Sequence, residues 1–197
     1  MYKRQADYIA GIQSQYEQAL NQVVADSQVA LTTSGADGIR LIRSRETNLG
    51  DFCADAYRAI GGADIAMVNG GGIRADLPAG PITYGDIIAV HPYGNTLCLA
   101  EVSGQEILDA LEMASRSTVA VTGDGANAVG ENGAFLQVSG LQYTIDTSIA
   151  STVEVDEAGM FVSCGSSRRV KDVAVLQADG SYLPLEPQQT YTLASHN

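Results

Sequence analysis

An apolar run that stops in three consecutive glycines constrains this chain more than any other feature. Residues 63–74 read ADIAMVNGGGIR. Ala66, Met67 and Val68 predict the end of a buried strand. Asn69, Gly70, Gly71, Gly72 and Ile73 then lead to Arg74. Successive glycines open backbone angles closed to other residues and allow close approach of a ligand to the main chain. A row of free N–H groups beside a guanidinium suits an anion. The same letters also fit a plain glycine turn with a surface arginine, so the neighbouring motifs decide.

Length and charge narrow the field. The chain has 197 residues, 45% hydrophobic and 17% charged, enough for one substantial core or two small ones. A formal net charge of −12 disfavours wrapping by DNA or RNA, whose phosphates it would repel. A small phosphorylated ligand held by local arginines stays open. No apolar run reaches the roughly 18 residues of a spanning helix. The opening MYKRQADYIAGIQSQ has no apolar core of a signal peptide. Cys53, Cys98 and Cys164 are widely spaced without a CxxC pair, and buried free thiols are expected. With only His91 and His196 available, no catalytic metal site is expected in this chain.

Periodicity predicts a long amphipathic helix over residues 4–25, with Ile9, Ile12, Tyr16, Leu20 and Val23 on one face. A second helix is predicted over 48–60, closed by Gly61 and Gly62. Thr83 and Asp86 suit the start of a short helix that ends before His91-Pro92. Ser103-Gly-Gln-Glu106 is a capping box opening another helix, through about Ser115. Residues 95–102 alternate as a strand. Residues 121–133, rich in Gly, Ala and Asn, are expected to form a mobile loop. The remainder reads as strands at 135–138, 141–145, 152–155, 170–176 and 191–193. Segregated helices and strands indicate an α+β (mixed α/β) domain preceded by a helical linker.

Three short stretches carry candidate chemistry. Arg43-Ser-Arg45 precedes a helix, Asn69–Arg74 forms the glycine loop, and His91-Pro-Tyr93-Gly-Asn95 sets a ring on a turn. Guanidinium groups suit phosphate oxygens, and an exposed ring suits a flat base. Singly, each has a structural explanation: a solvated ion pair, a half-buried tyrosine, a turn asparagine.

In combination, RSRETNLGDFCADA (43–56), MVNGGGIRADLPAGPITYGDIIAVHPYGNTL (67–97) and FLQVSGL (135–141) resemble the C-terminal domain of the 5′-nucleotidase family. That family includes UDP-sugar hydrolases and 2′,3′-cyclic-nucleotide phosphodiesterases. The resemblance implies layered helices and mixed sheets, with a linker helix over 1–25 and a substrate-binding domain over 26–197. It further implies that Arg43 and Arg74 meet the phosphate region, Asn69 the base or ribose, and Tyr93 a base face, with Asn95 beside it. Gly71 and Gly72 would lie against the ligand.

The expected partners are a nucleoside monophosphate and an N-terminal metallophosphatase domain of the same polypeptide carrying two divalent metal ions. The metal motifs of that domain, and the family's later G-G-D-G-[YF] segment, do not occur in these 197 residues. The chain is therefore expected to be the binding domain, shortened at its C-terminal end and inactive alone. An exported or cell-surface location is implied by the resemblance only. A parent acting on cyclic nucleotides or UDP-sugars, and a non-catalytic nucleotide-binding surface module, stay open. A Rossmann dinucleotide site is disfavoured, since NGGGIR is not G-x-G-x-x-G.

Overall fold

A computed structural model describes residues 2–120 and 131–197. Its elements in chain order are α1 (Tyr2–Leu20), β1 (Val23–Ser27), α2 (Asn48–Gly61), β2 (Ile65–Asn69) and a single 3-10 turn (Gly70–Gly72). There follow β3 (Gly80–Thr83), α3 (Tyr84–Val90), β4 (Leu97–Ser103) and α4 (Gly104–Ser115). The rest is β5 (Leu136–Ser139), β6 (Leu141–Ile145), β7 (Val153–Val155), β8 (Phe161–Cys164), β9 (Val170–Leu176), β10 (Tyr182–Pro184) and β11 (Thr190–His196).

The organising layer is a four-stranded mixed sheet of order β4-β11-β2-β5, in which β2 runs parallel to β11 and antiparallel to β5. Residues of β2 face opposite sides in alternation. Val68 joins the core beneath α2 with Leu49, Cys53, Ala54, Ile73 and Val90. Ile65 and Met67 join a second core beneath α4 with Ile107, Leu111 and Tyr191. Burial on both faces explains why the run before the glycines is apolar throughout rather than alternating. The second core extends onto a three-stranded antiparallel sheet, β10-β9-β6. The α+β class read from the sequence holds.

Local capping holds too. The Thr47 hydroxyl accepts from Gly50 N at the start of α2, and Gly62 (φ 60°) closes it in the left-handed region. Both α3 and α4 open with reciprocal capping boxes, Thr83 with Asp86 and Ser103 with Glu106.

Several expectations are corrected. The helix expected over 4–25 ends at Leu20, because Val23–Ser27 pairs with β3 as a strand. Its apolar stripe stays open to solvent, Tyr16 being 59% and Ile9 55% exposed. Strands β1, β3, β8 and β10 are not among those expected from the sequence. Of the three thiols only Cys53 is buried; Cys98 is exposed on the edge strand β4 and Cys164 lies between. Of the loop expected over 121–133, residues 121–130 lie outside the described residues.

Candidate nucleotide site around the glycine loop

The glycine loop is built for contact between backbones, not for unusual angles. None of Gly70, Gly71 and Gly72 has a positive φ. A Cβ on Gly70 would lie 1.9 Å from the Ile42 carbonyl oxygen, and one on Gly71 would lie 2.8 Å from that of Gly133. Both distances are impossible for real atoms. The expected row of free N–H groups is also largely spent. Gly70 N donates to Phe135 O (2.7 Å), Gly71 N to Gly133 O (2.9 Å) and Arg74 N to Val90 O (2.9 Å). The loop is thus a junction where the end of β2 is laced to residues 42–43 and 133–135.

Gln137 completes the lacing from below. Its buried amide donates to Ile42 O (3.0 Å) and Arg45 O (2.7 Å), and its Oε1 accepts from Thr47 N (3.2 Å). The segment bearing Arg43 is therefore pinned to β5 on one side and to the glycine loop on the other.

Around this junction stand the residues expected from the sequence. Arg43 is half-buried, with Nη1 4.0 Å from Glu131 Oε2, while Arg40 Nε lies 3.9 Å from Glu131 Oε1. One carboxylate thus sits against two guanidinium groups, and Arg43 Nε is buried without a partner among the described residues. Asn69 donates from Nδ2 to Gly133 O at 3.2 Å. Exposed Arg74 folds back, Nη1 donating to Gly71 O at 3.3 Å. Asn95 Nδ2 reaches His196 Nδ1 at 2.8 Å. The Tyr57 ring packs between His91 (5.8 Å) and His196 (5.9 Å).

Arg43, Asn69, Gly71, Gly72 and Arg74 are therefore brought together. Asn95 joins them through His196, whose Nε2 would lie 3.6 Å from a Cβ on Gly72. Tyr93 is placed two residues before Asn95, 62% exposed, with its ring tied to none of the others. Sequence reasoning misses Arg40, Gly133 and His196. Arg40 is legible as part of R-x-x-R-x-R, but Gly133 and His196 reach the site only through contacts 64 and 101 residues long.

Burial, aided by the neighbouring His196, holds the His91 ring below the ordinary histidine range, against a smaller upward pull from the Gly72 backbone. A neutral imidazole beside the loop leaves the positive charge to the arginines.

A polar hollow of about 470 Å³ opens beyond Arg43, lined among others by Arg45, Glu46, Asp51, Gln137, Tyr143 and Tyr182. None of the seven expected residues lines it, so the convergence of the six other than Tyr93 rests on contacts around the glycine loop and not on that cavity. Within the hollow, burial first, then the charges of Glu46 and Asp55 and a hydrogen bond with Glu46, push Asp51 up from 3.8 to about 6. A folded-state value above the unfolded one means this group's stabilising contribution is complete at low pH and disappears as pH rises through about 6. Asp51→Asn is expected to stabilise the fold at pH 8 by on the order of 1 kcal/mol, after discount for solvent screening. At a pH of about 4 the gain should vanish. Urea denaturation at both pH values measures it, and an equal gain at both would contradict the assignment.

Comparison with known proteins identifies the family. The sequence profile described as 5′-nucleotidase, C-terminal domain, matches residues 16–197. The chain is 34% identical to the trifunctional nucleotide phosphoesterase protein YfkN of Bacillus subtilis, covering 88% of this chain and 10% of that one. It is 32% identical to a 5′-nucleotidase of Vibrio parahaemolyticus, covering 77% of this chain and 24% of that protein. The crystal structure of a 5′-nucleotidase precursor from Thermus thermophilus superposes with a TM-score of 0.72 at 34% identity, over 98% of this chain and 32% of that one. The chain thus spans a third or less of these relatives. With its profile matched almost end to end and its fold shared, this chain belongs to the 5′-nucleotidase C-terminal domain family.

Proposed function

We propose that this domain binds a nucleoside monophosphate or related nucleotide and presents it to a phosphohydrolase domain of the same polypeptide. One observation carries the reading: Arg43, far upstream in sequence, is brought against the glycine loop that carries Asn69 and Arg74, and that junction is laced by backbone contacts. Arg43 and Arg74 would take phosphate oxygens, with Glu131 giving way to the incoming anion, since guanidinium forks match phosphate geometry. Asn69 would meet the base or ribose, with Gly71 and Gly72 against the ligand. Tyr93, exposed on its turn, offers a face for stacking, and Asn95 stands beside it.

The two divalent metals of the proposed partner domain belong to the same reading. Among the described residues no three His, Cys, Asp or Glu side chains gather closely enough to hold a metal ion. In this reading the chain's part is to bind and orient. The expected exported or surface-bound setting, and α1 as the link to the catalytic domain, complete the proposal; the exposed stripe of Ile9, Ile12 and Tyr16 supports α1 in that role.

Calorimetric titration with AMP, UMP and inorganic phosphate tests it. Arg74→Ala should weaken all three by about 10- to 100-fold, the range for a lost charge-assisted hydrogen bond. Tyr93→Ala should weaken only AMP and UMP, by roughly 5- to 150-fold for one lost stack. Equal losses for phosphate and nucleotides in Tyr93→Ala would refute stacking. Absence of binding by the unaltered chain would refute the reading as a whole.

A further inference from the structure

We infer that His196 is a specificity-determining residue of this site, positioning Asn95 and taking a sugar hydroxyl of the bound nucleotide. The inference rests on the nucleotide reading above. His196 ends β11, and the backbone register sets it opposite Leu97, two residues from Asn95. That pairing fixes the imidazole beside a turn 101 residues away in sequence.

The two ring nitrogens then divide their duties. Asn95 Nδ2 can only donate, so its 2.8 Å contact makes Nδ1 the acceptor and puts the ring N–H on Nε2; in that tautomer the Asn197 carbonyl, 3.1 Å from Nδ1, is a contact and not a second bond. Nε2 has no hydrogen-bond partner among the described residues. It faces the glycine loop, where a Cβ on Gly72 would stand 3.6 Å from Nε2 and 3.0 Å from Asn69 Oδ1. Gly72 thus leaves Asn69 Oδ1 and His196 Nε2, two polar atoms, on the same side of the loop with no side chain of residue 72 between them.

Chemistry selects the occupant. With Nδ1 accepting from Asn95, Nε2–H donates, and Asn69 Oδ1 only accepts. A hydroxyl can accept from Nε2–H and donate to Oδ1, whereas a phosphate oxygen can do only the first. The Tyr57 ring packs against His196, with ring centroids 5.9 Å apart, as it does against His91. A ribose hydroxyl is the hydroxyl that a nucleotide brings, and the phosphate-facing arginines lie across the same loop.

The test compares AMP, 2′,3′-dideoxy-AMP and inorganic phosphate by calorimetry on the unaltered chain, His196→Ala and His196→Gln. The unaltered chain should prefer AMP over the dideoxy analogue by roughly 2- to 13-fold, the scale of one hydrogen bond to a neutral group. His196→Ala should abolish that preference while phosphate affinity stays within about twofold, and His196→Gln should restore part of it. A preference that survives in His196→Ala, or phosphate and AMP affinities that fall together, would overturn the inference. If the unaltered chain binds phosphate and AMP without preferring AMP over the analogue, the hydroxyl contact fails while the nucleotide reading stands. If it binds neither, both fail. Positioning is read without ligand: the 15N shift of His196 Nδ1 should move in Asn95→Ala while that of His91 does not. No movement would overturn that half.

Discussion

Gly70→Ala is expected to lower the melting temperature by roughly 10 °C, from about 3 kcal/mol of overpacking in a domain of this size. The added methyl would stand 1.9 Å from the Ile42 carbonyl oxygen and 2.8 Å from its carbon. Backbone, unlike a flexible side chain, has no rotamer to escape into. The loop can move only by stretching the Gly70 N to Phe135 O bond or by driving Ile42 away, and Ile42 is fully buried. The same movement would displace Arg43, so phosphate affinity should fall along with stability. Gly11→Ala is the control. Nothing lies within 4 Å of its new methyl in α1, and removing a mid-helix glycine should leave stability unchanged or slightly raised. Thermal unfolding of the two variants separates the mechanisms; a Gly70→Ala protein that melts like the parent would show that the close approach is not real.

Gln137→Ala is expected to cost about 3–5 kcal/mol, since three main-chain groups lose their partner inside the protein. Thr47 N, Ile42 O and Arg45 O all bond to this one amide, which is 1% exposed. Water cannot replace them without opening the segment that carries Arg43. Gly50 supplies an internal check. A Cβ there would lie 2.0 Å from Gln137 Oε1, so Gly50→Ala alone should be strongly destabilising. In the Gln137→Ala background the space is vacant, and the second change should cost little. Denaturant titration of both single variants and the double variant should give a coupling above about 1 kcal/mol, as expected for neighbours that share a cavity. Additive effects would mean that Gln137 and Gly50 do not touch.

How far the sequence can be read depends on distance along the chain. Ser103 and Glu106, or Thr83 and Asp86, lie three residues apart, and their capping boxes are legible because helix geometry alone brings them together. Gly62 at the end of α2 is legible for the same reason. The glycine loop is visible as a motif, but its physical basis is not. Its glycines answer to the Ile42 and Gly133 carbonyls, which no local pattern discloses. In α1 the period-3.6 stripe is real while its burial is not, because periodicity states which face is apolar and not what covers it.

Gln137 marks the boundary most clearly. In sequence it is one polar letter inside a strand, F-L-Q-V, indistinguishable from a solvent-facing position in an alternating run. In the fold it is among the most buried side chains of the domain.

By itself, the sequence determined where α2, α3 and α4 begin and end, which run must be a doubly buried strand, and which residues could answer a phosphate or a base. Those properties follow from side-chain chemistry acting within about four residues. The tertiary structure alone decided that β11 returns beside β4 to bring His196 to Asn95, and that the segment bearing Arg43 packs against the loop of Asn69 and Arg74. Pairing of β2 with strands as distant in sequence as β5 and β11 is settled by the packing of both cores at once, and no single stretch of chain contains that information.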